Sequence, residues 1–197
     1  MPRRTIQFVP GEYYHLYNRG NNRQNIFFER ENYLFFLRQI RLYLAPQIRT
    51  SEVCKGIVVA YCLMPNHFHL LLTPQSENLS HQMQLLSISF TKAMNRRYSR
   101  VGALFQGAFQ AVHVERNEHL LHLSRYIHLN PVAAGLVRRP EDWEFSSYRD
   151  YIGQRNGALP APGIILSQFS SCREYQSFVE SYAEHDLSVI AHLLIDD

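Results

Sequence analysis

The amino-acid sequence predicts an α+β fold: one antiparallel sheet with helices packed on one face, followed by a helical C-terminal extension. Two observations predict it. Segments rich in β-formers and segments of helical periodicity follow in the order strand, helix, strand, strand, helix, short strand, helix. The two central strand-like runs, 57–63 and 67–73, are parted only by Met64, Pro65 and Asn66, a spacing that suits an antiparallel hairpin. This order is the split β-α-β-β-α-β arrangement of ferredoxin-like and RRM-like sheets.

Each element has its own reason. Residues 13–19 (YYHLYNR) are β-formers that stop at Gly20-Asn21-Asn22, a strand running into a turn. Over 30–44, Tyr33, Phe36, Leu37, Ile40 and Leu44 fall at helical spacing opposite Arg38 and Arg41, which predicts an amphipathic helix. Ser80 is placed to cap a second helix reaching about Arg97, with Leu86, Phe90 and Ala93 inward. The glycine-punctuated stretch 102–114 predicts a loop and a short strand. A third helix is expected from Asn117, ended by Pro131, and 173–194 reads as one or two further helices.

At 197 residues the chain suits one domain with a substantial core; the expected division is a domain over 1–153 and an extension over 154–197 packed on it. No apolar run reaches the roughly eighteen residues of a membrane span. The basic N-terminus is followed by no apolar signal region, and the three cysteines lack metal-type spacing, so the expected location is the reducing cytoplasm, without a membrane. The net charge of +3 matters less than its make-up: of 20 basic residues only Lys55 and Lys92 are lysine. Arginine forks match phosphate oxygens, so the bias points to a polyanion. The basic body ends in an acidic tail, with one Arg against six acids over 170–197.

The chemistry-bearing residues begin in "MPNHFHLLL". Strand alternation turns His67 and His69 to one face and Phe68 to the other, and two neighbouring imidazoles can share a divalent ion. The pair alone is equally compatible with the polar outer face of a half-exposed strand. In "LSRYIHLNPVAAGLV", helical spacing puts Tyr126 and Asn130 on one stripe, with His122 and His119 behind them. Tyr126 is a candidate nucleophile. Tyr98, in the arginine-rich "NRRYSR", is its rival.

Taken together, "GEYYHLYNRG", "MPNHFHLLL", "LFQGAFQ", "RYIHLNPVAAGLV" and "WEFSSYRDY", in that order over about residues 10 to 153, resemble the REP-associated tyrosine transposases, a branch of the single-tyrosine HUH transposases. The resemblance implies a ferredoxin-like sheet with the HUH strand at its centre. It implies that His67 and His69 bind a divalent metal, Mg²⁺ or Mn²⁺, that Asn130 completes the metal shell, and that Tyr126 is the nucleophile. The implied substrate is single-stranded DNA carrying a hairpin, cut through a 5′-phosphotyrosine without ATP or another nucleotide cofactor. Arg19, Arg23, Arg96, Arg97, Arg100 and Arg125 are the candidate phosphate contacts. In "LFQG-F-" the family usually shows an Arg and then a Lys, whereas this chain has Ala108 and Gln110. Two cationic contacts are therefore missing, which motivates an alternative: a domesticated, catalytically weak single-strand binding protein. A metal hydrolase using water at His67 and His69 is the third reading.

Overall fold

The strand order explains why residues distant in sequence meet. In the computed structural model, which describes residues 6–45, 56–181 and 185–194, β1 (Tyr13–Arg19), α1 (Arg30–Tyr43), β2 (Gly56–Met64), β3 (His67–Pro74), α2 (Leu79–Arg97), β4 (Gln110–Val114) and α3 (Asn117–Ala133) follow in turn. The strands form one sheet in the order β2-β3-β1-β4, every neighbouring pair antiparallel. This is the expected ferredoxin-like topology. The strand bearing His67 and His69 is central, with β1 on one side and β2 on the other.

The hairpin turn does more than reverse the chain. The Pro65 carbonyl accepts from the amides of Ile26 and Phe27 at 2.8 and 3.0 Å, and the Asn66 carbonyl from Gly20 at 2.7 Å. The two-residue turn is thereby stitched to the β1–α1 connection. Gly20 is required there, because a Cβ would lie 1.9 Å from the Gln24 carbonyl oxygen.

On one face of the sheet Leu16, Phe68, Leu70 and Leu72 meet α1 and α2 in a core of rings. Phe36 lies 5.0 Å from Phe68 and 4.8 Å from Phe90, centroid to centroid. Glu29 and Asn32 close a capping box at the start of α1. These helices pack on one face, as the pattern predicts. The other face is covered as well, which extends the one-face expectation: α3 sets Leu120, Leu123 and Ile127 against Ala60, Cys62 and Leu71. Apolar residues on more than one side of α3 are the reason, since the helix is sandwiched between the sheet and the C-terminal segment.

That segment supplies the short helices α4 (Tyr148–Tyr151) and α5 (Gly163–Leu166), then α6 (Cys172–Glu180) and α7 (His185–Ile190). Ile165, Tyr175, Val179, Ile190 and Leu193 share one core with α3 and β3. Arg155 ties the segment to β2, donating to the Tyr61 hydroxyl at 3.0 Å and pairing with the buried Asp150 at 2.6 Å. Pro131 does not end α3, contrary to expectation. It sits in the last turn, and the helix stops where Gly135, at φ +67°, lets the Leu136 amide reach back to the Pro131 carbonyl at 2.9 Å.

Candidate active site

The site lies on the α3 face of β3. Register places Tyr17 of β1 opposite His69 and His15 opposite Leu71, so all three rings share the face that α3 covers. The Tyr126 ring stands edge-on to His69 with centroids 5.5 Å apart, and the two motif histidines are perpendicular at 5.0 Å. The structure thus brings His67, His69, Tyr126 and Asn130 together.

Hydrogen bonds fix how the polar atoms point. The Asn66 amide nitrogen donates to the Arg23 carbonyl at 3.3 Å, which turns its oxygen to Nδ1 of His67 at 2.6 Å. An amide oxygen only accepts, so Nδ1 of His67 carries the proton and a neutral ring leaves Nε2 with a lone pair. The Asn130 amide nitrogen donates to the Tyr126 carbonyl at 3.4 Å, which turns its oxygen to Nε2 of His67 at 3.3 Å. In the neutral ring these two atoms are both acceptors, whereas in the doubly protonated ring Nε2 donates to the Asn130 oxygen.

His69 adds a third. Its side chain is wholly buried, its Nδ1 faces Nε2 of His15 at 3.0 Å, and its Nε2 has no hydrogen-bond partner. Asn130 stands near enough to favour the charged ring, but makes no hydrogen bond of good geometry to that nitrogen. Burial first, then the neighbouring His67 and His15, hold His69 well below the usual histidine pKa. Burial likewise lowers His15 to about 4, partly offset by its bond to the Leu193 carbonyl. Neutral imidazoles with a bare Nε2 are the protonation state that ligates metal. A buried orphan nitrogen and an amide oxygen set against a second ring nitrogen fit a divalent cation. Among the described residues there is no cluster of three His, Cys, Asp or Glu side chains that could hold a metal.

The other candidates divide. Tyr98 lies among the α1–α2 residues, donating to Glu29 at 2.7 Å with its ring against Phe28. It belongs to the opposite side of the sheet from the paired histidines. Arg125 is a correction: it is turned inward, only 3% exposed, donating to the Phe178 carbonyl at 3.1 Å and lying 4.3 Å over the Phe178 ring. It clamps α3 to α6. It also donates to Nδ1 of His122 at 2.8 Å, which engages the imidazole one turn before Tyr126. Arg96 and Arg97 line a groove of about 730 Å³ between α1 and α2 with Arg38 and Lys92, and Arg97 pairs with Glu29. Arg100 lies 5.5 Å over Phe28. Arg23 is exposed on the turn after β1.

Arg19 borders a second groove, of about 380 Å³, with Tyr17, Gln106, Ala108 and Gln110. Its guanidinium donates to Gln106 at 2.8 Å. The two positions that depart from the family pattern thus line a channel that shares Tyr17 with the histidine site. Tyr17 and His15 share this face but are not among the candidates named from the sequence. The available signal was strand alternation, which sets 15 and 17 on one face of β1, as it does 67 and 69 on β3.

Comparison with known proteins gives consistent results. Residues 9–130 match the family described as "Transposase IS200 like". A curated REP-associated tyrosine transposase of Haemophilus influenzae is 30% identical over 111 residues, 51% of this chain and 63% of that protein, so the match spans less than two thirds of the relative's length. A REP-associated tyrosine transposase solved bound to a REP hairpin superposes with a TM-score of 0.62 at 16% identity, covering 82% of this chain and 98% of that one. At that identity the superposition establishes the fold. Among the described residues, no helix is long and apolar enough to cross a membrane.

Proposed function

The chain belongs to the IS200-like transposase family, and from that premise we propose that it cuts and rejoins single-stranded DNA near hairpins, with Tyr126 as nucleophile. The observation that carries the proposal is the Tyr126 ring 5.5 Å from His69, on the face that also holds His67, Asn130 and the unpartnered Nε2 of His69. His67 and His69 through Nε2, and Asn130 through its amide oxygen, would hold Mg²⁺ or Mn²⁺. Such an ion, when bound, polarises the scissile phosphate and offsets charge on the leaving oxygen.

In the proposed reaction the Tyr126 phenolic oxygen forms a bond to phosphorus and the P–O3′ bond breaks. The phenol proton passes, by way of solvent, to the leaving 3′ oxygen. The products are a 5′-phosphotyrosine and a free 3′ hydroxyl. The covalent link conserves the phosphodiester energy, so a second 3′ hydroxyl can reverse the step on another strand without a nucleotide cofactor. Arg19 and the 106–110 groove offer a path for the strand beside the site. The hairpin in the complex of the structural relative motivates a hairpin-bearing substrate. We place the reaction in the unit 1–153, with 154–197 as its packed extension.

The test is incubation with a hairpin-bearing single-stranded oligonucleotide and Mn²⁺, followed by denaturing electrophoresis. The expected result is a protein–DNA adduct that Tyr126→Phe lowers at least about a thousandfold, the removal of a nucleophile being worth about 4 kcal/mol or more of barrier. An adduct that persists in Tyr126→Phe but vanishes in Tyr17→Phe moves the nucleophile to β1. Cleavage without an adduct supports hydrolysis by water. Binding without cleavage supports the alternative suggested by Ala108 and Gln110, a single-strand binding protein.

A further inference from the structure

The site on β3 has a support reaching it from the far end of the chain. His15 is wholly buried, and its ring bridges two polar partners: Nδ1 lies 2.7 Å from the Leu193 carbonyl oxygen and Nε2 lies 3.0 Å from Nδ1 of His69. A carbonyl only accepts, so Nδ1 of His15 bears a proton. If the ring is neutral, its Nε2 is then an acceptor, and the hydrogen facing it must come from Nδ1 of His69. That assignment leaves Nε2 of His69 with the lone pair, on the nitrogen that has no partner in the fold. The opposite assignment needs a buried imidazolium against another imidazole, a costly arrangement.

We propose that His15 is a positioning residue which, anchored by the Leu193 carbonyl, locks His69 in the Nδ1–H tautomer and so presents Nε2 to the metal. The inference rests on the metal reading above and adds to it a supporting shell that the HUH motif does not contain. It also makes the C-terminal segment part of the site. Leu193 is fully buried in the core shared with Leu120 and Ile190, so packing as well as the hydrogen bond holds the carbonyl in place. The two imidazoles are nearly parallel, with centroids 5.2 Å apart and planes 17° from one another, so the orientation of one ring constrains the other. Outer partners of this kind typically set ligand tautomer and orientation and are worth about 10- to 100-fold in metal affinity.

The test uses the full chain and two readouts. Long-range ¹H–¹⁵N spectra of the metal-free protein at neutral pH are expected to show His15 and His69 both neutral and both protonated at Nδ1. Titration calorimetry with Mn²⁺ is expected to show His15→Phe weakened about tenfold or more. His15→Gln should bind within about threefold of wild type, since its amide nitrogen can donate to Leu193 and its amide oxygen can accept from His69. A wild-type His69 protonated at Nε2, or a folded His15→Phe chain that binds Mn²⁺ like wild type, overturns the proposal. Should His15→Phe fail to fold, the wild-type tautomers together with the His15→Gln affinity decide the matter. Failure of the underlying metal reading has a separate signature: wild-type protein that binds no Mn²⁺, or binds it equally well after His67→Ala, while the tautomer spectrum still reports on the ring pair.

Discussion

Phe68 and His69 are neighbours on one strand, equally buried at 0% exposure, and they face opposite worlds. Phe68 enters a core of aromatic and aliphatic side chains between the sheet, α1 and α2. His69 enters a layer where rings and amides meet at hydrogen-bond distance: His15, His67, Asn130 and, deeper, His128 held by Tyr175 and Ser147 at 2.8 Å each. The first face gains by removing apolar surface from water. The second sacrifices part of that gain to hold polar groups in fixed orientations. One sheet therefore separates stability from chemistry by the alternation of its own side chains.

Paired substitutions at these two positions test that division most severely. His69→Ala should lower adduct formation about a thousandfold or more and weaken Mn²⁺ binding, while leaving a folded protein. Phe68→Ala should do the reverse, costing about 3–5 kcal/mol in urea unfolding while the molecules that remain folded bind Mn²⁺ as wild type does. If both changes reduce stability alike and neither alters metal binding, the two faces do not differ in role.

Much of this division is legible in the residues. Strand β1 runs from Tyr13 to Arg19 as expected because its β-formers end at a glycine that only glycine can occupy. The i, i+4 spacing of Tyr126 and Asn130 and the alternation of His67 and His69 each reduce to one periodicity, so each reads directly from sequence. What did not read were properties of the partner rather than of the element. Nothing local to β1 marks His15, because the carbonyl it bonds is 178 positions away. Arg125 looked like a surface charge because nothing in α3 says that α6 covers that side. Pro131 suggested a stop, and the αL glycine four residues on was the stronger signal.

A gentler probe is acid. Burial is the largest cause lowering all three inner histidines: His15 to about 4, His128 to about 3, and His69 well below its usual value. Each is neutral when folded and would take up a proton near pH 6.5 when unfolded. The unfolded state thus binds more protons below that pH, and stability falls as pH falls. The loss begins near 6.5 and continues for each group down to its folded value. Urea unfolding of the metal-free protein between pH 6.5 and 4.5 should show a slope approaching about 1.4 kcal/mol per pH unit for each histidine. His128→Gln should remove one such share. A slope near zero over that window would mean that these rings are charged in the folded protein, and the neutral-ligand argument would go with it.

The smallest effect concerns the arginines, and it separates surface from interior again. Arg100, beside the half-exposed Phe28 at the end of α2, and the Arg38, Lys92 and Arg96 groove offer a cationic and aromatic surface on the α1–α2 side. Removing one phosphate contact there should weaken single-strand binding a few-fold and reduce the slope of log affinity against log salt by about 0.7. Arg97 should matter less, because Glu29 already holds it. Arg125→Ala should leave the salt slope unchanged yet lower stability, since the guanidinium packs on Phe178 and donates to its carbonyl inside the α3–α6 contact. Fluorescence titration of a labelled oligonucleotide at several salt concentrations distinguishes the two. An unchanged slope in Arg100→Ala would remove this surface from the DNA contacts and turn the same test to the groove beside Arg19 and Tyr17.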